Sequence, residues 1–131
     1  MSEEKKLILI ADDDIDYLFQ LKIIIESFGY KTITAESQNE AEKIIKEIKP
    51  DLAIFDLMME NQDSGFILSY KIKNKYPDVP VIISTAVTKE TGIDFSSATG
   101  ESSLIKADLY IEKGINKEKL KFEIQKLLSK K

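Results

Sequence analysis

Short apolar runs and amphipathic stretches alternate along most of this chain. Leu7, Ile8, Leu9, Ile10 and Ala11 make one continuous apolar run, too short for a helix and suited to a buried strand. Between Asp14 and Phe28 the apolar positions Leu18, Leu21, Ile25 and Phe28 recur at spacings of three and four, one face of a helix, and Gly29 stands where a helix stops. Lys31 to Ala35 is a second strand, alternating and rich in β-branched residues. Ser37 and Glu40 form a capping box opening a helix with the stripe Ala41, Ile44, Ile45 and Ile48, which Pro50 closes. Asp51 to Phe55 gives a third strand, and Phe66 to Lys75 a third helix through Phe66, Ile67, Tyr70 and Ile72. Val81 to Ser84 is a fourth strand after Pro80, and Leu109 to Ile111 a short fifth. Asn116 caps a last helix striped by Leu120, Ile124, Leu127 and Leu128. Val87 to Ala107, with its glycines, serines and threonines, shows no stripe where a further helix is expected. It reads as a long loop with a short helical piece near Ser102 to Lys106.

Strand-then-helix alternation with near-continuous apolar strands predicts an α/β fold, a doubly wound parallel sheet covered on both faces in three layers. The 131 residues fit one domain of ordinary size, and no linker, repeat or low-complexity tract interrupts the pattern, so the expectation is a single domain over 1–131 without an output domain. Hydrophobic content of 43% and charged content of 32% are those of a soluble globular protein. No apolar run reaches the ~18 residues that span a bilayer, and no secretory leader pattern opens the chain. With no cysteine there is neither a disulfide framework nor a thiolate metal site, which fits a cytoplasmic protein without membrane contact. The net charge is -4 and the 19 basic residues are all lysine and scattered, which argues against direct nucleic-acid binding. Histidine is absent, so the chain can neither carry a phosphohistidine nor use an imidazole as base or ligand.

Chemistry collects at the strand ends. Asp12 and Asp13 follow the first strand and Asp56 the third, and in an open parallel sheet ligands bind at the carboxyl ends of strands. Three such carboxylates need a cation, and hard oxygen ligands suit Mg2+ better than a softer metal. Thr85 ends the fourth strand, and Glu112 and Lys113 follow the fifth. A carboxylate nucleophile, a hard cation, an ammonium and a hydroxyl compose a phosphoryl-acceptor site. Each residue alone has an ordinary reading: an acidic helix start for Asp12 to Asp16, a turn for Asp56, a strand end for Thr85, a core aromatic for Tyr110, one of many lysines for Lys113.

At these positions the chain resembles, over nearly its whole length, the receiver domain of two-component response regulators. The resemblance implies a flavodoxin-like (βα)5 fold with strand order 2-1-3-4-5. It implies Asp56 as the phosphorylated residue, with Asp12, Asp13, Asp56 and the Met58 backbone carbonyl as ligands of Mg2+. Thr85, followed by Ala86, corresponds to the switch hydroxyl, Tyr110 to the aromatic switch residue and Lys113 to the family's lysine. The implied donor is a phosphohistidine on a sensor histidine kinase or a histidine phosphotransfer protein, with a separate protein as downstream target. Such a domain is not a conventional enzyme, since it catalyses only its own phosphorylation and dephosphorylation. Met58 and Val87, two positions beyond Asp56 and Thr85, are apolar where the family can place water-positioning polar residues, which implies slow self-dephosphorylation.

The chain departs from the family pattern in three places. Glu60 stands where proline is usual, with Gly65 one residue late, Gly114 replaces the proline after the lysine, and Val87 to Ala107 is extended. A Lys113 to Gly114 bond is expected trans, because a non-proline cis bond costs ~3 kcal/mol. Two alternatives stay open, a phosphorylation-independent receiver-like adaptor and a haloacid-dehalogenase-type phosphatase. Asp12 and Asp14 have the spacing of the latter, but its late acidic pair after Lys113 is missing. A calcium loop on Asp12, Asp14 and Asp16 meets Tyr17 where glycine is needed.

Overall fold

A computed structural model of the chain describes residues 5–85 and 107–129. Five strands, β1 (Leu7–Ala11), β2 (Lys31–Ala35), β3 (Leu52–Asp56), β4 (Val81–Thr85) and β5 (Leu109–Glu112), form one parallel sheet in the order β2-β1-β3-β4-β5. The helices are α1 (Ile15–Ser27), α2 (Gln38–Glu47), α3 (Ser64–Lys75) and α4 (Lys117–Ser129). The loop and short helical piece expected from Val87 to Ala107 lie, but for Ala107, outside the described residues.

Successive strand residues point to opposite faces, so each strand feeds both cores. Ile8, Ile10, Ile54 and Ile82 pack with Leu18, Leu21 and Ile25 of α1 and Leu120, Ile124 and Leu127 of α4. Leu9, Phe55, Val81 and Ile83 pack on the other side with Ala41 and Ile45 of α2 and Leu68 and Ile72 of α3. The three layers follow.

Caps set the helix starts. The Asp14 carboxylate accepts the Tyr17 backbone N–H at 3.2 Å, Ser37 Oγ accepts that of Glu40 at 3.0 Å, and Asn116 Oδ1 accepts that of Glu118 at 2.8 Å. The capping-box glutamate reaches one residue further back than usual, its carboxylate accepting from Glu36 N at 2.6 Å. Asp51 lies just outside β3, where its carboxylate accepts the Leu7 N–H at 2.7 Å.

The third helix differs from its expected form. It begins at Ser64, two residues before Phe66, and its buried face is Ser64, Gly65, Leu68, Ser69 and Ile72, while Tyr70 is exposed. Small residues rather than large ones line the N-terminal half of this face because the helix start crosses the end of β3 closely. Gly65 N donates to Leu57 O at 2.8 Å, and a Cβ on Gly65 would meet Asp56 O and Leu57 Cα at 2.8 Å each. Gly65→Ala therefore forces backbone apart, and we expect a loss of about 1–3 kcal/mol in urea unfolding, with amide shifts concentrated at Asp56 and Leu57.

Candidate functional site

β1, β3 and β4 are neighbours in the middle of the sheet, so their C-terminal ends converge. Asp12 follows β1, Asp56 closes β3 and Thr85 closes β4, and they are only 2%, 6% and 6% exposed. Asp13 stands beside them in solvent. One carboxylate oxygen from each of Asp12, Asp13 and Asp56 lies within 4.8 Å of the others.

Lys113, just past β5, reaches into this cluster. Its backbone N–H donates to Thr85 O at 2.8 Å, and its Nζ lies 3.0 Å from Asp12 Oδ2, 3.2 Å from Asp12 Oδ1 and 3.5 Å from Asp56 Oδ1. Asp12 Oδ1 also accepts the Asp14 backbone N–H at 2.9 Å, which fixes the carboxylate's orientation. The cluster brings together five expected residues. Met58 lies in the loop after β3 with its side chain 47% exposed. Tyr110, within β5, is half-buried, its ring edge-on to Phe66 with centroids 6.4 Å apart and an interplanar angle of 76°.

Electrostatics make the cluster unusual. Burial pushes the Asp56 carboxyl up to about 7, the Asp12 charge adds to the push, Lys113 opposes it, and Asp13 raises it again. Burial works against the Lys113 charge, yet Asp12 and Asp56 outweigh it and hold the ammonium above the usual lysine value. Three carboxylates thus face one ammonium. The donors are all hard carboxylate oxygens, a set that fits Mg2+ rather than a thiophilic or imidazole-bound metal.

Two contributors are not among the residues expected from sequence. Tyr17, in the first turn of α1, puts its ring 5.0 Å from Lys113 Nζ. Gly114 has φ +88°, in the left-handed region that favours glycine, and Ile115 N closes its turn onto Glu112 O at 3.2 Å. No cis peptide bond occurs among the described residues, so the Lys113 to Gly114 bond is trans as expected. Glu60 is the second: its carboxylate accepts from the first turn of α2, and the Gln38 backbone N–H holds it below the usual glutamate value. An aromatic one turn into the helix after an acidic pair is the only sequence hint of Tyr17, and nothing local announces Glu60.

Comparison with known proteins agrees with this geometry. A family model described as "Response regulator receiver domain" matches residues 8–125. The transcriptional regulatory protein RprY of Bacteroides fragilis is 31% identical over 126 residues, covering 96% of this chain and 50% of RprY. A CheY-like receiver domain protein of Methanospirillum hungatei superimposes with a TM-score of 0.83 at 27% identity, covering 97% of this chain and 96% of that one. The response regulator TrrA of Thermotoga maritima, solved with Mg2+ and BeF, does so with a TM-score of 0.77 at 30% identity, covering 93% and 98%. The chain spans half or less of the length of several curated relatives it matches. With this fold and this match, the chain belongs to the response regulator receiver domain family.

Proposed function

We propose that Asp56 of this chain accepts a phosphoryl group from a phosphohistidine on a sensor kinase or phosphotransfer protein, and that the change is read by a partner protein. The observation that carries this reading is the convergence of Asp12, Asp13, Asp56, Thr85 and Lys113 from successive strand ends. An Asp56 oxygen attacks phosphorus in line, and its O–P bond forms as the P–N bond breaks with the electron pair left on the imidazole. Asp12, Asp13, Asp56 and the Met58 carbonyl would hold Mg2+, which would supply neutralising charge to the phosphoryl oxygens. Lys113 offsets further charge, and the Thr85 hydroxyl donates to a phosphoryl oxygen. Movement of Thr85 toward that group frees space into which Tyr110 turns, a two-state change. Alongside, α1 offers the donor protein an apolar strip next to the site, Ile15, Phe19 and Ile23, which are 56%, 60% and 51% exposed.

Asp56→Asn tests the assignment. Intact-mass analysis after incubation with Mg2+ and a small acyl phosphate should give one Mg2+-dependent phosphoryl adduct in the wild type and none in the variant. An adduct at one site in both would move the acceptor elsewhere. Absence of both adduct and Mg2+ binding in the wild type would favour the phosphorylation-independent adaptor. The same variant has a stability signature. Asp56 ionises near 3.8 when unfolded and about 7 when folded, so the folded chain loses stability as pH rises through this window. Without divalent cations, Asp56→Asn should match the wild type near pH 4 and exceed it at pH 8 by on the order of 2 kcal/mol. Mg2+ should narrow that gap.

The lifetime of the acyl phosphate follows from Met58, whose thioether cannot hold a water as an amide can; Val87, the other position concerned, lies outside the described residues. Met58→Asn should shorten the adduct's half-life several-fold, and equal decay in the two proteins would remove this idea.

A further inference from the structure

The β3–α3 loop, residues 57–63, carries Met58 and is tied at one point to a distant helix. Glu60 Oε1 accepts the Gln38 backbone N–H at 2.7 Å and Oε2 that of Asn39 at 3.3 Å. These are the first two helical amides of α2, whose own cap, Ser37, serves only Glu40 by side chain at 3.0 Å and Ala41 by carbonyl at 3.0 Å. A helix leaves its first amides without internal partners, and here a carboxylate 22 residues onward fills two of them, where the helix dipole also favours an anion. The Gln38 side chain answers from the other side. Its Oε1 accepts Asn61 Nδ2 at 3.0 Å and Ser64 Oγ at 2.8 Å, while its Nε2 donates to Glu42 at 2.8 Å. Within the loop, Asn61 N donates to Ser64 Oγ at 3.1 Å and Met59 N to Asn61 O at 3.1 Å.

We propose that Glu60 is a positioning residue for the metal-binding loop, holding the segment that carries the Met58 carbonyl against the first turn of α2. The inference rests on the Mg2+ reading of the site and deepens it. Proline at this place would stiffen the loop from within, by fixing φ. Glu60 does so from outside, with two hydrogen bonds to the α2 amides, beside those that Asn61 of the loop and Ser64 at the start of α3 make to the Gln38 side chain. A carbonyl ligand has no side chain to aim it, so its direction depends on how the loop is anchored. Residues that orient ligands from behind typically govern metal affinity more strongly than their distance from the ion suggests.

Removing Glu60 also removes a negative charge near the cation, so the decisive variant is charge-neutral. Gln38 occupies the first helical position, which accepts proline, and Ser37 before it is extended at φ -154° and ψ 164°, as a residue preceding proline should be. Gln38→Pro deletes the N–H to Glu60 and the acceptor for Asn61 and Ser64 while leaving net charge unchanged. Gln38→Ala, also neutral, cuts the latter two bonds and the Nε2 bond to Glu42 within α2, and keeps the helix amide.

The measurement is Mg2+ titration by calorimetry on the wild type, Glu60→Gln, Gln38→Pro and Gln38→Ala, together with hydrogen exchange of the loop amides. We expect Mg2+ affinity to fall about tenfold in Gln38→Pro and Glu60→Gln and roughly threefold in Gln38→Ala, with faster exchange at Met59 and Asn61. Weakening in Glu60→Gln with unchanged affinity in both Gln38 variants would assign the effect to charge alone and overturn the proposal. Unchanged affinity in all three would overturn it as well. A wild type that binds no Mg2+ would instead overturn the site reading, and this inference with it.

Discussion

Three carboxylates held against one ammonium at the edge of a sheet is the constraint on which this structure turns. Asp12 and Asp56 are almost fully buried, and their closeness follows from β1 and β3 being paired neighbours, with Ala11 opposite Phe55 in register. Buried like charges are unfavourable unless compensated, and Lys113 compensates only in part. A folded chain that keeps this arrangement holds a standing demand for positive charge at one point. On the proposed function a divalent cation would meet the demand at rest, and an incoming phosphoryl group would find that charge already placed.

The remainder of the fold serves to keep those groups from relaxing apart. Continuous apolar strands packed on both faces fix the backbone beneath the carboxylates. Gly65 lets α3 start against the end of β3. Tyr17 lies against Lys113, while the Gly114 turn follows it without a proline. The loop after Asp56 leans on α2 through Glu60. Each support comes from a different element, which explains how the acidic centre persists although two positions, 60 and 114, differ from the family's usual residues.

Much of this was legible in the sequence, because the signals are local. Apolar runs of strand length alternating with capped stripes gave the order of elements, and residues at strand ends had to share one edge once the sheet was parallel. Asp12, Asp13, Asp56, Thr85 and Lys113 could be grouped for that reason. On α3 the expected stripe holds in part: Ile72 is buried and Phe66 packs on the core, but Tyr70 is exposed, and close packing on β3 selects Gly65, Leu68 and Ser69. Tyr17 and Glu60 were hidden for a different reason. Their roles depend on contacts with Lys113 and with Gln38, far along the chain or across a loop, and no periodicity encodes such pairs. Glu60 was visible only as a missing proline, and its carboxylate replaces the stiffness that residue would have given.

The most direct test of the central claim is an NMR titration of the Asp56 side-chain carboxyl carbon, with and without Mg2+. Burial, with crowding by Asp12, predicts a midpoint about 7 in the cation-free protein, moving well below that value when Mg2+ is added. A midpoint near the ordinary 3.8 without the cation, or one that Mg2+ leaves in place, would contradict the account.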